Sequence, residues 1–188
     1  MRVGIDIDGV IFPWTDAANR AVSRQFGINV TGDHEHWDWL KSQITREQWR
    51  WLWSEEGQKK VFDRPTYVYP GVQEAFGRIL DAGHECHFVT HRDPTTCGMA
   101  TTRLLAKQFA GHSWAGLHVL RDSPKHALMK WDVFIDDKPD TVMDFLTLTR
   151  TKVFAPARAW NTELAAVKTR RLVRYEDPNE VADWIAAR

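Results

Sequence analysis

Short apolar runs separated by helix-like stretches recur along the chain, and this alternation restricts the fold more than any other feature of the sequence. The runs cover residues 3–7, 86–90, 117–120, 133–135 and 152–154. Each is brief and rich in residues that suit a strand buried on both faces, so the pattern predicts βα units around a parallel sheet. Helices are expected at 72–82, after Pro70-Gly71 and before Gly83, and at 95–109, closed by Gly111. Two more are expected at 140–148, behind Pro139, and at 178–187, where Asp177 is a natural N-cap and Pro178 suits the first helical position.

The rhythm breaks between the first run and Tyr69, where more than fifty residues pass without a credible strand. Residues 14–69 therefore read as a mostly helical insertion, leaving 1–13 and 70–188 as the body of the domain. Residues 14–26 form a helix pattern ending at Gly27, and Thr45 with Gln48 three residues on is a capping-box signature. Six of the ten tryptophans fall in this insertion: Trp14, Trp37, Trp39, Trp49, Trp51 and Trp53. Two uses are open to them, packing the insertion or stacking against a planar ligand.

Overall charge gives no support for a general nucleic-acid or membrane-surface binder. The 25 Lys and Arg balance the 25 Asp and Glu, so no overall field draws the protein to nucleic acid or a membrane surface. The run Lys168-Thr169-Arg170-Arg171 with Arg174 is the one local basic patch. Two cysteines, Cys86 and Cys97, make neither a disulfide framework nor a zinc pattern and suit a reducing compartment. No apolar run approaches the ~20 residues of a membrane span, and no basic stretch followed by an apolar one opens the sequence. A cytoplasmic location is the expectation.

In an open α/β sheet, ligands bind where the strands end, so the residues that finish each run should converge. They are Asp6 and Asp8 in GIDIDGVIF, Thr90-His91-Arg92, Lys125, and Asp136-Asp137. Carboxylates meeting a hydroxyl and a lysine form a set suited to a metal ion and a phosphate. Mg²⁺ takes hard oxygen ligands and commonly binds through one or two carboxylates plus substrate phosphate oxygens. Lys130 and Lys138 compete with Lys125 for the lysine's place. Arg92 is placed equally well to meet phosphate or to cap the next helix. His91 is a substrate contact or a solvated loop histidine, and His34 and His36 form an H-x-H pair without a third ligand in the pattern.

Asp6-Ile7-Asp8-Gly9-Val10, Thr90, Lys125 and Asp136-Asp137 stand in the order of the four motifs of the haloacid dehalogenase-like (HAD) phosphohydrolase superfamily, which the chain resembles. Phe134-Ile135-Asp136-Asp137-Lys138-Pro139-Asp140-Thr141-Val142, Arg121-Asp122, Trp160-Asn161 and Arg170-Arg171 narrow the resemblance to the 5'(3')-deoxyribonucleotidases. Thr90-His91 departs from the Thr-Ser typical of that family. The resemblance implies a Rossmann-like three-layer α/β sandwich with a small helical cap inserted after the first strand. It implies an Mg²⁺-dependent phosphomonoester hydrolase in which Asp6 is the nucleophile, Asp8 the general acid and base, Thr90 a phosphate donor and Lys125 a bridge between phosphate and nucleophile. Mg²⁺ would be held by Asp6, the Asp8 carbonyl and Asp136, with Asp137 acting through water because neighbouring strand residues point apart. Trp14, eight positions after the nucleophile, would stack on a nucleobase, with His91 and Arg92 as further substrate contacts. The expected partner is a small phosphomonoester, a (deoxy)nucleoside monophosphate. The alternatives are a phosphatase of polynucleotide ends or of another small phosphometabolite, and a catalytically silent nucleotide-binding module.

Overall fold

The computed structural model describes residues 1–30, 36–62 and 68–188. Six strands form a single parallel sheet: β1 (Arg2–Ile5), β2 (Glu85–His91), β3 (Gly116–Leu120), β4 (Val133–Ile135), β5 (Lys152–Pro156) and β6 (Leu172–Tyr175). Their order is β3-β2-β1-β4-β5-β6. The chain thus builds outward from one side of β1 and then crosses to the other. That reversal places β1 at the switch point, where the loops leaving adjacent strands diverge and open a crevice. The predicted Rossmann-like α/β class is the one observed.

Helices α1 (Trp14–Phe26), α2 (Trp39–Gln43), α3 (Arg46–Leu52) and α4 (Glu55–Val61) come between β1 and β2, and no strand interrupts them among the described residues. Gly27, with φ of 64°, ends α1; Thr45 and Gln48 form the capping box of α3; Ser54 caps α4. The remaining helices are α5 (Val72–Asp81), α6 (Pro94–Gln108), α7 (Lys125–Leu128), α8 (Pro139–Leu148) and α9 (Pro178–Ala186), with a 3-10 segment over Ala159–Ala166. Asp93 caps α6 and Asp177 caps α9, each with proline at the first helical position. Among the described residues no helix is long and apolar enough to cross a membrane.

Two differences from the sequence reading bear on the site. Strand β1 stops at Ile5 rather than at residue 7, because Ile11 and Phe12 both donate their amides to the Ile7 carbonyl and fold residues 7–12 into a tight turn. The run 168–174 leads into the sheet edge: Leu172–Tyr175 is β6. Arg171 donates to the carbonyls of Leu146 and Thr149 at the end of α8, and Arg174 donates to Asn161. Two of the patch's guanidiniums are therefore spent on the fold, and the strand was hidden because its basic residues interrupt any apolar run.

Burial is continuous from the sheet into the inserted helices. One cluster joins Val3, Ile5 and Phe88 to Ala18, Val22, Leu52 and Phe62; a second, on the other face, gathers Phe134, Phe145, Trp131 and Val153. The second cluster depends on Gly4. A methyl group there would lie 2.2 Å from the Phe134 ring, which crosses β1 at this point and stacks on Phe145 at 4.3 Å. Gly4→Ala is expected to lower unfolding free energy in urea by about 1–3 kcal/mol, the usual cost of overpacking, with Phe134→Leu in the same chain restoring part of the loss. An unchanged midpoint in Gly4→Ala would contradict this packing.

Candidate active site

The register of the sheet brings the acids together. Ile5 pairs with Ile135 and with Phe88, and Asp6 N–H donates to the Ile135 carbonyl at 2.9 Å, so Asp6 emerges beside Asp136. Gly9 then turns the chain with φ of 76°, and a methyl group there would sit 1.8 Å from Asp137 Oδ2. Only glycine supplies both the left-handed conformation and the room.

Asp6, Asp136 and Asp137 are all buried, and one oxygen of each lies within 4.8 Å of the others. The predicted opposition of Asp136 and Asp137 does not hold. Strand β4 ends at Ile135, so the alternation of faces stops before either aspartate, and both carboxylates turn to the same point. Lys125, 3% exposed, sits among them: its Nζ lies 2.8 Å from both Asp6 Oδ1 and Asp136 Oδ2, and only the second contact has hydrogen-bond alignment. Neither rival makes an ion pair with these acids. Lys130 is exposed, and the Lys138 ammonium lies 5.6 Å over the Trp37 ring.

The remaining bonds fix the acids. Asp136 Oδ1 accepts from Lys138 N–H at 2.9 Å, and Trp160 Nε1–H donates to Asp137 Oδ2 at 2.9 Å. Asn161, fully buried, donates to the carbonyls of Asp137 and Pro156. Asp137 Oδ1 is buried with no donor, and Asp6 Oδ1 has only its ion pair with Lys125. Burial pushes Asp6 up to about 7, against the pull of Lys125 and with Asp136 and Asp8 adding to it. Asp137 is raised well above the carboxylate range for the same first reason. Burial works against the Lys125 charge, but Asp136 and Asp6 outweigh it and raise the amine. Three buried carboxylates against one ammonium leave an excess of negative charge, and oxygens without donors are hard ligands. The cluster therefore fits a divalent cation such as Mg²⁺.

Asp8 stands apart from that cluster. Arg92 Nε donates to Asp8 Oδ2 at 2.7 Å and Nη2 to Oδ1, while Thr90 Oγ1–H donates to Oδ2 at 3.2 Å. Arg92 does not line the cavity at the site, as a substrate contact would; it is 3% exposed and turned behind Asp8. Nor does it cap α6, a role taken by Asp93. His91 does line the cavity, with Nε2–H donating to the Ser123 carbonyl at 3.0 Å, and burial lowers its pKa.

The cavity, about 240 Å³, has Asp6, Asp8, Thr90, Lys125 and Asp137 among its polar lining. Its aromatic lining divides into two groups. Trp14 stacks on Trp53 at 5.2 Å, with Trp49 edge-on to Trp53, and Trp37 meets Trp160 edge-on at 6.5 Å, with Tyr69 also exposed to the cavity. Trp39 is buried and Trp51 packs on Phe26, whereas Trp14, Trp37, Trp49 and Trp53 line the cavity. His36 and Lys138 also line the cavity; His34 lies outside the described residues. Sequence reasoning gave no role to Tyr69, and it noted Trp160-Asn161 without seeing that both hold Asp137.

Comparison with solved structures agrees with this topology. A haloacid dehalogenase-like hydrolase from Streptococcus pneumoniae aligns over 97% of both chains with a TM-score of 0.61 and 13% identity. A HAD-superfamily hydrolase of subfamily IA from Geobacter sulfurreducens aligns over 98% of this chain and 95% of its own, TM-score 0.58, 16% identity. This chain has the HAD-like fold. A third structure, the D,D-heptose 1,7-bisphosphate phosphatase of B. bronchiseptica complexed with magnesium and phosphate, aligns over 99% and 98% of the two chains, TM-score 0.54, 12% identity. No family model matches the sequence, and no curated protein matches it.

A raised Asp6 pKa has a defined sign. Between the unfolded carboxylate value near 4 and about 7, the folded state binds more protons than the unfolded state, so stability falls as pH rises through that window. In chelator, the thermal midpoint is expected to drop from pH 5 to pH 8, with Mg²⁺ restoring it at pH 8 but not at pH 5, and with Asp6→Asn flattening the slope. A midpoint equally sensitive to pH in wild type and Asp6→Asn would contradict the assignment.

Proposed function

We propose that the protein is an Mg²⁺-dependent phosphomonoester hydrolase of the 5'(3')-nucleotidase type, acting on (deoxy)nucleoside monophosphates through an aspartyl-phosphate at Asp6. The observation that carries this reading is the Asp6-Lys125-Asp136-Asp137 cluster opening into a cavity lined by tryptophans. Residues 14–69 act as the cap that completes that cavity, through Trp14, Trp37, Trp49 and Trp53.

Asp6, Asp136 and Asp137 would hold Mg²⁺, and the Asp8 carbonyl is the further ligand implied by the HAD resemblance. When bound, the ion neutralises the excess negative charge and lets an anionic nucleophile meet an anionic phosphate. The Asp6 carboxylate attacks phosphorus in line, a P–O bond to Asp6 forms, and the bond to the ester oxygen breaks. Asp8 gives its proton to the departing alkoxide. Water then attacks phosphorus, its proton passes to Asp8, and the bond to Asp6 breaks. The net reaction is ester and water to alcohol and inorganic phosphate. Lys125 holds Asp6 in place and offsets charge on the phosphoryl oxygens, and the Thr90 hydroxyl, which now donates to Asp8, is the further phosphate donor.

Trp14 gives the nucleotide preference by stacking on the base. A second reading, a sugar-phosphate substrate, is supported by the heptose bisphosphate phosphatase among the structural neighbours. The two separate in a phosphate-release panel of nucleoside monophosphates, sugar phosphates, phosphorylated oligonucleotides and p-nitrophenyl phosphate, with and without Mg²⁺. Base stacking is worth about 1–3 kcal/mol. Trp14→Ala should accordingly raise KM for nucleotides by roughly 5- to 150-fold and leave KM for p-nitrophenyl phosphate nearly unchanged. Equal effects on both, or turnover of sugar phosphates alone, would overturn the nucleotide assignment.

A further inference from the structure

Arg92 is a guanidinium with no place in the chemistry above, yet it is 3% exposed and fully engaged by three separate elements. Toward the turn after β1 it makes a two-pronged pair with Asp8, Nε to Oδ2 at 2.7 Å and Nη2 to Oδ1. Toward α6, Nη1 donates at 2.7 Å to Thr101 Oγ1, whose own hydroxyl donates to the Cys97 carbonyl at 2.8 Å and so leaves the oxygen free to accept. Toward the insertion, the guanidinium lies 4.4 Å from the centre of the Phe62 ring at the end of α4, and Phe62 in turn stacks on Phe12 at 5.3 Å. A planar fork held on three sides cannot rotate without giving up a charge-assisted bond, and lysine cannot reproduce it.

The consequence falls on Asp8. Oδ2 accepts from both Arg92 and Thr90, whereas Oδ1 accepts from Arg92 alone. A carboxylate oxygen has room for a second partner, so Oδ1 is the atom with an uncommitted lone pair. We propose that Arg92 is a positioning residue for Asp8: it fixes the carboxylate with Oδ1 presented for proton exchange, and it ties that orientation to the inserted helices through Phe62. This rests on the hydrolase reading and adds to it a role for a residue outside the four motifs.

The test compares wild type, Arg92→Met, Arg92→Lys, Asp8→Asn and the double variant Asp8→Asn/Arg92→Met, all with Mg²⁺. Each is assayed on p-nitrophenyl phosphate, whose leaving group departs without a proton, and on a nucleoside monophosphate, whose alkoxide needs one. The constants are compared as kcat/KM, which reports only the step that forms the aspartyl-phosphate. Arg92→Met should lose on the order of 10²-fold more on the nucleotide than on the aryl ester, with Arg92→Lys recovering part of that difference. In the Asp8→Asn background the Arg92→Met change should cost nothing further. The double variant leaves no buried unpaired charge, so it tests the coupling even where Arg92→Met alone folds poorly. Equal losses on the two esters, or losses that add in the double variant, would overturn the role of Arg92. A wild type that hydrolyses neither ester would instead overturn the hydrolase reading, and this role with it.

Discussion

A lysine ammonium buried between two aspartates is the contact around which the molecule is arranged. Lys125 lies 2.8 Å from Asp6 and 2.8 Å from Asp136, with none of the three meaningfully exposed. Desolvating such charges costs several kcal/mol per ion, and one ammonium does not balance the carboxylates that face it once Asp137 joins them. The arrangement holds because separate elements force it. The parallel register delivers Asp6 and Asp136 side by side, the four-residue helix α7 delivers Lys125, and Trp160 and Asn161 hold Asp137 from the segment after β5. The carboxylate excess and the unpartnered Asp137 Oδ1 are the strongest physical argument for a cation.

Helices α1–α4 share the interior of the sheet. Besides the continuous apolar cluster, two polar contacts cross between α4 and the body of the domain: the Cys97 thiol donates to Gln58 Oε1 at 3.2 Å, and Arg92 lies over Phe62. Gln58 is fully buried and donates in turn to the Leu52 carbonyl, so α3, α4 and α6 are linked by bonds that water does not compete for. The tryptophans of the same insertion line the cavity over the acids. A change in how α4 packs would reach the site by both routes, through the aromatic wall and through Arg92.

Much of the fold was legible because its signals are local. Apolar runs of three to five residues marked five of the six strands, and Thr45, Asp177, Gly27 and the prolines marked helix ends where the structure has them. Strand β6 was not legible because Arg174 and its basic neighbours break the apolar pattern, although their side chains serve the fold. In the site, strand-end logic expected Asp6, Asp136 and Lys125 to meet, and they do: Asp6 and Asp136 lie just beyond the ends of β1 and β4, and Lys125 opens α7 after β3. The same logic turned Asp137 away from Asp136, whereas the two carboxylates approach one another, because the alternation of faces ceases where the strand ceases. It left Arg92 between two roles and the structure gives a third, for the partner that decides the matter, Asp8, is 84 residues away in sequence. Tyr69 was invisible for the same reason: its place at the cavity is set by tertiary contacts alone.

The chemistry turns on whether Asp6 carries the phosphoryl group. A nucleoside monophosphate with radiolabelled phosphate is mixed with the protein and Mg²⁺, quenched in acid within milliseconds, and the protein digested. Label on the peptide containing Asp6, released by hydroxylamine as an acyl phosphate is, is the expected result. Phosphate release with no label at any time on that peptide would contradict nucleophilic catalysis at Asp6.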